Sequence, residues 1–393
     1  MAANYASIDM IFTEKAADFR AVSTFIHTHP ELAFEEHKCH DFLVEKLRKN
    51  GFNVIAHYLK CDTAFRATYE GTPGGPTICV MCEYDALPDV GHACGHNLIA
   101  EAGYAAGIGI KAFLENNPDV KGKVVVLGTP AEESNGGKQK LIDGGAFKDI
   151  DVAMMVHPSN TANEATPLFI GVNVLLAEFY GKAAHAAGYP WDGRNALDGA
   201  VSCYNALSML RQHLKPNCKV HVTIKSGGTA ANIVPDYASL IIMYRAPSIA
   251  ELEELAARVD DCVKAGALVS ATKSKVSPLH CTYLPLQSNE TLAQLYKQHC
   301  EIDGMKFDGA EKLGTFVASS DVGNVSWIVP TIQPIFRIDA KGPNHSVAFT
   351  EAAGEDCAQA NTLIAARALA KSAADIFCQP KLLAAVKEEF NKK

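Results

Sequence analysis

Residues 77–128 read TICVMCEYDALPDVGHACGHNLIAEAGYAAGIGIKAFLENNPDVKGKVVVLG, and the order of patterns in this stretch decides the fold. Thr77–Glu83 is a short run of apolar and β-prone residues, the pattern of a strand buried on both faces. A loop rich in Pro, Gly, His, Cys and Asp follows. Asn97–Asn116 then repeats apolar residues at helical spacing, with Asn97 available as its N-cap. Lys123–Gly128 is a second Val-rich run of the buried-strand type. Strand, long helix, strand is a βαβ unit, so the sheet is expected to be mostly parallel with helices on its faces.

The same rhythm extends outward. Upstream, Ile8–Thr28 carries a helical pattern that stops before Pro30, Phe42–Asn50 runs as helix to a Gly51 cap, and Phe65–Glu70 reads as a strand before the turn Gly71–Pro76. Downstream, Gly137–Asp149 reads as helix and Val152–Val156 as another buried strand. Near residue 170 the order changes. Val172–Tyr180 is a strand, Asn195–Leu214 a helix, Lys219–Lys225 and Tyr237–Arg245 strands, Ile249–Ala267 a helix, and Lys273–Leu284 contains a last strand. Strand-helix-strand-strand-helix-strand is the ferredoxin-like α+β order. A helix at Glu290–Asp303, an apolar run at Val325–Ile335 and a long helix at Glu351–Ala374 complete the chain. The expected fold class is α/β: a larger domain from 1–169 and 286–393, with a ferredoxin-like α+β domain, 170–285, inserted in it. The length of 393 residues agrees, because one core rarely grows beyond roughly 250–300.

Composition narrows the function. The net charge of −8 argues against a nucleic-acid partner, which calls for a basic face. No apolar run approaches the roughly 20 residues of a membrane span; Leu98–Leu114 is interrupted by Glu101 and Lys111. Met1–Arg20 has no basic start followed by an apolar block, so it does not read as a secretory signal. Twelve cysteines scattered through such a chain are expected as reduced thiols in a cytoplasmic protein.

The chemistry-bearing residues fall where strands end, the place where open α/β sheets carry their sites. Four segments deliver Cys94 and His96, Glu132 and Glu133, His157, and His345. Taken singly each has a plain structural reading: a hydrogen-bonded His157, a solvated pair of glutamates, a small buried Cys94. Together, one thiolate, three imidazoles and a carboxylate make a ligand set for divalent ions of borderline softness. Five donors suit two neighbouring ions better than one tetrahedral site, especially if Cys94 bridges them. Neighbours at a strand end point different ways, so one carboxylate of the Glu132–Glu133 pair is expected to face the metal while the other faces the water, takes its proton and returns it to a leaving nitrogen. A nucleophilic Cys94 with His92 or His96 as base is an alternative, but it leaves Glu133, His157 and His345 without a role. A non-catalytic metal-binding protein of this fold is the other. Cys79 and Cys82 sit three apart on an expected strand and so face opposite sides, which argues against a zinc knuckle or a redox pair. Gly136-Gly137-Lys138 lacks phosphate-loop spacing, and no P-C-x-x-C of a zinc deaminase is present. His27 and His29, beside Pro30, read as structural.

His27-Thr28-His29-Pro30-Glu31, Glu83-Tyr84-Asp85-Ala86-Leu87-Pro88, Gly91–Asn97, Pro130-Ala131-Glu132-Glu133 and His157-Pro158 together resemble the M20 metallopeptidase family. The match is best to its amidohydrolase branch, which has Cys in the metal site, and it covers essentially the whole chain. The resemblance implies a binuclear α/β catalytic domain with an inserted lid that commonly dimerises. It implies Cys94, His96, Glu133, His157 and His345 as ligands of two ions, zinc or manganese, and Glu132 as general base. In the lid it implies His185 as the histidine that stabilises the oxyanion, and Asn232 and Arg245 as the grip on a substrate carboxylate, which suits a guanidinium fork. The implied substrates are dipeptides, short peptides or N-acyl amino acids with a free carboxylate, and the implied assembly is a homodimer through the lid. Asn97 departs from the Asp common in the branch. With Glu83–Pro88 and Ser319-Ser320-Asp321-Val322-Gly323-Asn324, it is most similar to the aminobenzoyl-glutamate and dipeptide-cleaving subgroup.

Overall fold

The computed structural model describes residues 3–307 and 318–392. The strands along the chain are β1 (Asn53–Ala56), β2 (Phe65–Glu70), β3 (Thr72–Cys82), β4 (Lys121–Gly128), β5 (Val152–Met154), β6 (His157–Ser159), β7 (Gly171–Tyr180), β8 (Lys219–Ser226), β9 (Tyr237–Ala246), β10 (Lys273–Pro278), β11 (Thr331–Ile332) and β12 (Ile335–Arg337). They fall into two compact units. The first holds residues 3–168, 287–307 and 324–392, and the second holds 169–286 with 318–323.

In the first unit a six-stranded sheet runs in the order β1-β2-β4-β3-β5-β11. The βαβ stretch forms its centre: β3 and β4 are parallel neighbours, as are β3 and β5, and β5 and β11. Only the β1–β2–β4 edge is antiparallel. The crossover helix, His96–Asn116, is buried along almost its whole length, and it lies close to the sheet because two positions one turn apart lack side chains. A Cβ on Gly103 would meet the Met81 carbonyl oxygen at 2.5 Å, and one on Gly107 would meet Val126 Cγ2 at 2.3 Å. Leu98, Ile110 and Phe113 bury completely in the same core, each contributing about 1.5–3 kcal/mol. Helices Ala6–Glu14, Ala16–Thr28 and Gln359–Cys378 cover this helix from the other side.

Several boundaries differ from the expectation, for local reasons. The long N-terminal helix is two, broken at Lys15. The helix expected at Glu351–Ala374 is also two, Val347–Gly354 and Gln359–Cys378, with Glu355 extended between them. At the break Gly354 lies against the His27 ring and its carbonyl accepts from Arg20, so a tertiary contact sets this end. The helix after Gly137 ends at Asp143. A further helix, Pro380–Asn391, begins with Pro in its first turn, where a missing N–H costs nothing. Asn97 is not a cap. The helix starts one residue earlier on Gly95, which is left-handed at φ 77°, and the Asn97 amide donates sideways to Ser23 Oγ and the Ala353 carbonyl.

The second unit is a four-stranded antiparallel sheet in the order β10-β7-β9-β8, the ferredoxin-like arrangement. Its helices, Ala196–Leu210 and Ile249–Val269, are capped by Asn195 and Ser248 and bury Cys203, Leu207, Val259 and Val263 against Phe179, Leu240 and Ile242. Among the described residues, no helix is long and apolar enough to cross a membrane. All twelve cysteines are free thiols; Cys79 and Cys82 lie buried on β3.

Candidate metal centre

The first unit brings six chemistry-bearing residues together beyond the carboxyl ends of β3, β4 and β5. The ligand atoms of Cys94, His96 and His157 all lie within 4.8 Å of one another, and so do those of Cys94, Glu133 and His345. Cys94 Sγ therefore belongs to both groups. His96, Glu132 and Glu133 form a third.

Backbone geometry places these side chains. Left-handed Gly95 sits where a Cβ would strike Pro158 Cγ at 2.5 Å; this lets the Cys94 turn pack against the segment that carries His157. Cys94 Sγ is 3.4 Å from His157 Nε2. His345, itself left-handed at φ 68°, is anchored by its N–H to the Ala93 carbonyl at 2.8 Å. Its Nε2 lies 3.6 Å from Glu133 Oε2. The two glutamates sit on a turn, not a strand end, so the expectation that they diverge is not met. Ala131 enters that turn at φ 61°, and the carboxylates converge: Glu132 Oε2 and Glu133 Oε1 lie 3.9 and 3.8 Å from His96 Nε2.

Partners that the motifs did not announce hold this arrangement. Asp85 accepts from His96 Nδ1 at 2.9 Å with one oxygen and from the Glu133 N–H at 2.9 Å with the other. It thus orients an imidazole and a carboxylate at once, the usual office of a carboxylate behind a metal-binding histidine. Glu83 and Asp85, two apart at a strand end, share a direction, and that spacing was a readable signal. Glu36 gave none. It lies 95 residues from Ala131, yet its buried Oε1 accepts the Ala131 N–H at 2.9 Å. Lys138 and Glu83 form a fully buried ion pair.

The electrostatics fit a cation. Burial works against a charged His96 ring, but Asp85 and Glu83 outweigh it and hold the ring's pKa well above the ordinary value. Burial would raise the Asp85 carboxyl, yet His96 brings it below its usual range. Burial pushes His157 down to about 4, leaving a neutral ring with a lone pair to give. Burial, then Glu133, pushes the Cys94 thiol well up, which is not the low-pKa setting of a nucleophilic cysteine. His96 Nε2, Glu133 Oε1 and Glu83 Oε2 are all buried without a hydrogen-bond partner. Each orphan costs about 1–3 kcal/mol. Sulfur, imidazole and carboxylate donors at one point, three of their atoms unsatisfied, fit divalent ions.

A sequence comparison sets this geometry in a lineage. The chain is 42% identical to the Xaa-Arg dipeptidase of Homo sapiens, over 97% of this chain and 90% of that protein. The chain belongs to the M20 peptidase family. Residues 171–270 match the family model of the peptidase dimerisation domain. A p-aminobenzoyl-glutamate hydrolase chain of Escherichia coli is 26% identical over 98% of this chain and 94% of its own length. Among solved structures, the Bacillus subtilis YXEP protein, a dinuclear metal binding peptidase of the M20 family, shares the fold with a TM-score of 0.70 at 18% identity, covering 92% of this chain and 98% of that one.

The residues that the resemblance implies in the inserted domain, His185, Asn232 and Arg245, belong to the second unit. His185 and Asn232 lie on adjoining segments: His185 bridges Ile233, and the Ala186 N–H donates to the Asn232 carbonyl at 3.0 Å. His185 is exposed, and its Nδ1 accepts from the Ala187 and Gly188 N–H groups at 3.2 and 3.0 Å. A neutral ring so held carries its hydrogen on Nε2. Arg245 lies on β9 and donates from Nη1 to Ser319 Oγ at 2.6 Å. His27 and His29 bond backbone carbonyls, of Thr350 and Phe25.

Proposed function

We propose that this chain is a metal-dependent dipeptidase that cleaves dipeptides ending in a residue with a free α-carboxylate, Xaa-Arg dipeptides foremost. The single observation that carries the reading is the pair of ligand groups that meet at Cys94, one with His96 and His157, the other with Glu133 and His345. Cys94, His96, Glu133, His157 and His345 would then hold two divalent ions, zinc or manganese. When bound, such ions supply Lewis acidity toward an amide carbonyl and lower the pKa of water at the site.

The protein's own residues do the rest. Glu132, close to His96 Nε2, takes the proton from the attacking water on a carboxylate oxygen and delivers it to the leaving amide nitrogen. Asp85 keeps His96 and Glu133 in place. The Nε2–H of His185 is a donor for the carbonyl oxygen as negative charge builds on it. Arg245, with Asn232, pairs with the substrate α-carboxylate in the bidentate manner of a guanidinium. The name of the human relative supports an Arg side chain on the carboxyl side of the bond. The match to the dimerisation domain supports a homodimer through the second unit. Twelve free thiols fit a reducing compartment such as the cytoplasm.

The test is metal analysis of the purified chain followed by a substrate panel: Xaa-Arg and Xaa-Lys dipeptides, p-aminobenzoyl-glutamate and N-acetyl amino acids, with and without chelator. Xaa-Arg hydrolysis that chelation abolishes and Mn²⁺ or Zn²⁺ restores is the expected result. A metal-free chain whose hydrolysis ignores chelator refutes the mechanism.

A further inference from the structure

Glu83 has no role in the five-donor set, yet the geometry points to one. We infer that Glu83, held by Lys138, presents Oε2 to the same cations as an additional hard oxygen donor and tilts the centre toward Mn²⁺; the inference rests on the cation pair proposed above. Glu83 is completely buried. One carboxylate oxygen takes the ammonium of Lys138, also completely buried. The other, Oε2, has no hydrogen-bond partner and lies 3.5 Å from His96 Nε2, itself unpartnered. A buried carboxylate oxygen left unsatisfied is costly, and here the imidazole nitrogen it faces also lies beside Glu132 and Glu133.

Lys138 explains why Glu83 keeps this orientation. A buried lysine is rare without a partner, and its ammonium fixes the carboxylate so that the second oxygen turns toward His96. Sulfur and imidazole donors suit Zn²⁺, whereas added carboxylate oxygens favour Mn²⁺. Glu83 thus bears on which ion the centre selects, a property that the shared ligand set does not decide.

The experiment measures Mn²⁺ and Zn²⁺ dissociation constants by chelator competition on the full-length chain, for the parent, Glu83→Gln and Glu83→Asp, with folding of each variant checked by circular dichroism. Gln keeps the volume and an oxygen for Lys138 but loses the charge; Asp keeps the charge but withdraws the oxygen by one methylene. Both variants are expected to weaken Mn²⁺ binding tenfold or more, with Zn²⁺ weakened less than threefold. Mn²⁺ affinity at the parental value in either folded variant, or equal losses for both ions, overturns the assignment of Glu83. A parent chain that binds neither ion removes the cation pair itself, so the two failures are distinct.

Discussion

Glu36 offers the sharpest test of how this centre is built, because it touches none of the reacting groups. Its buried carboxylate accepts the N–H of Ala131, the left-handed residue that opens the Glu132–Glu133 turn. A non-glycine residue in that conformation costs about 1–2 kcal/mol. Glu36→Ala would leave the N–H buried without an acceptor, at about 1–3 kcal/mol. A net loss of about 2 kcal/mol in the turn's native conformation corresponds to a fall of roughly thirtyfold in the equilibrium constant for placing both glutamates, at 1.36 kcal/mol per factor of ten. The expected outcome is a kcat for Xaa-Arg hydrolysis lower by roughly ten- to a hundredfold at saturating metal, with KM changed by less than about threefold and metal affinity weakened as well, because Glu133 rides on the same turn. Glu36→Gln keeps an oxygen for the same N–H and should stay within about threefold of the parent. Adding Ala131→Gly to the Glu36→Ala variant should return part of kcat, since glycine enters the left-handed region without a Cβ clash. Steady-state kinetics with metal analysis of each variant decides the matter. A folded Glu36→Ala variant with kcat within twofold of the parent, or a Glu36→Gln variant that falls as far, refutes the positioning argument.

Three further outcomes are expected. Glu132→Gln should retain its metal and lose turnover by about 10²–10⁴-fold, the contribution of a general acid–base group; undiminished turnover in a metal-loaded variant removes Glu132 from the role. Asp85→Asn should weaken metal binding by about 10–100-fold, as loss of a carboxylate behind a ligand does, and chelator competition reads this directly. Burial pushes Glu101 up to about 7 from an ordinary 4.5, so the folded chain keeps a proton that the unfolded chain releases. That residue's contribution to stability therefore declines from about pH 4.5 to 7 and is level above it. Glu101→Gln, still able to accept from Gln359, should match the parent near pH 4 and exceed it at pH 8 by up to roughly 3 kcal/mol; urea melts showing parity at pH 8 contradict this.

Much of the molecule was legible in the linear chain, for identifiable reasons. The Val-rich runs of β3 and β4 announce strands buried on both faces, and the helix between them forces the parallel pairing. The strand-helix-strand-strand-helix-strand order announces the second unit, because each element there carries its own periodicity and caps. The metal-binding residue types stand out because so few side chains offer sulfur or imidazole donors, and these cluster in short polar segments that follow apolar runs. Helix boundaries were less legible where a distant contact sets them: Gly354 ends its helix against His27 and Arg20. Asn97 has the right residue type for a cap, but Ser23 and Ala353 claim its amide.

The amino-acid sequence by itself determined the layer architecture and the inventory of donors, because periodicity and residue chemistry are local properties that survive without coordinates. Only the tertiary structure decided how those donors are aimed. Glu132 and Glu133 converge because Ala131 turns left-handed under a hydrogen bond to a residue far away in the chain. Asp85 serves His96 and Glu133 together, and Lys138 turns Glu83 toward His96. Each of these depends on which backbone amide or buried charge a side chain meets after folding, and spacing along the chain carries no record of that.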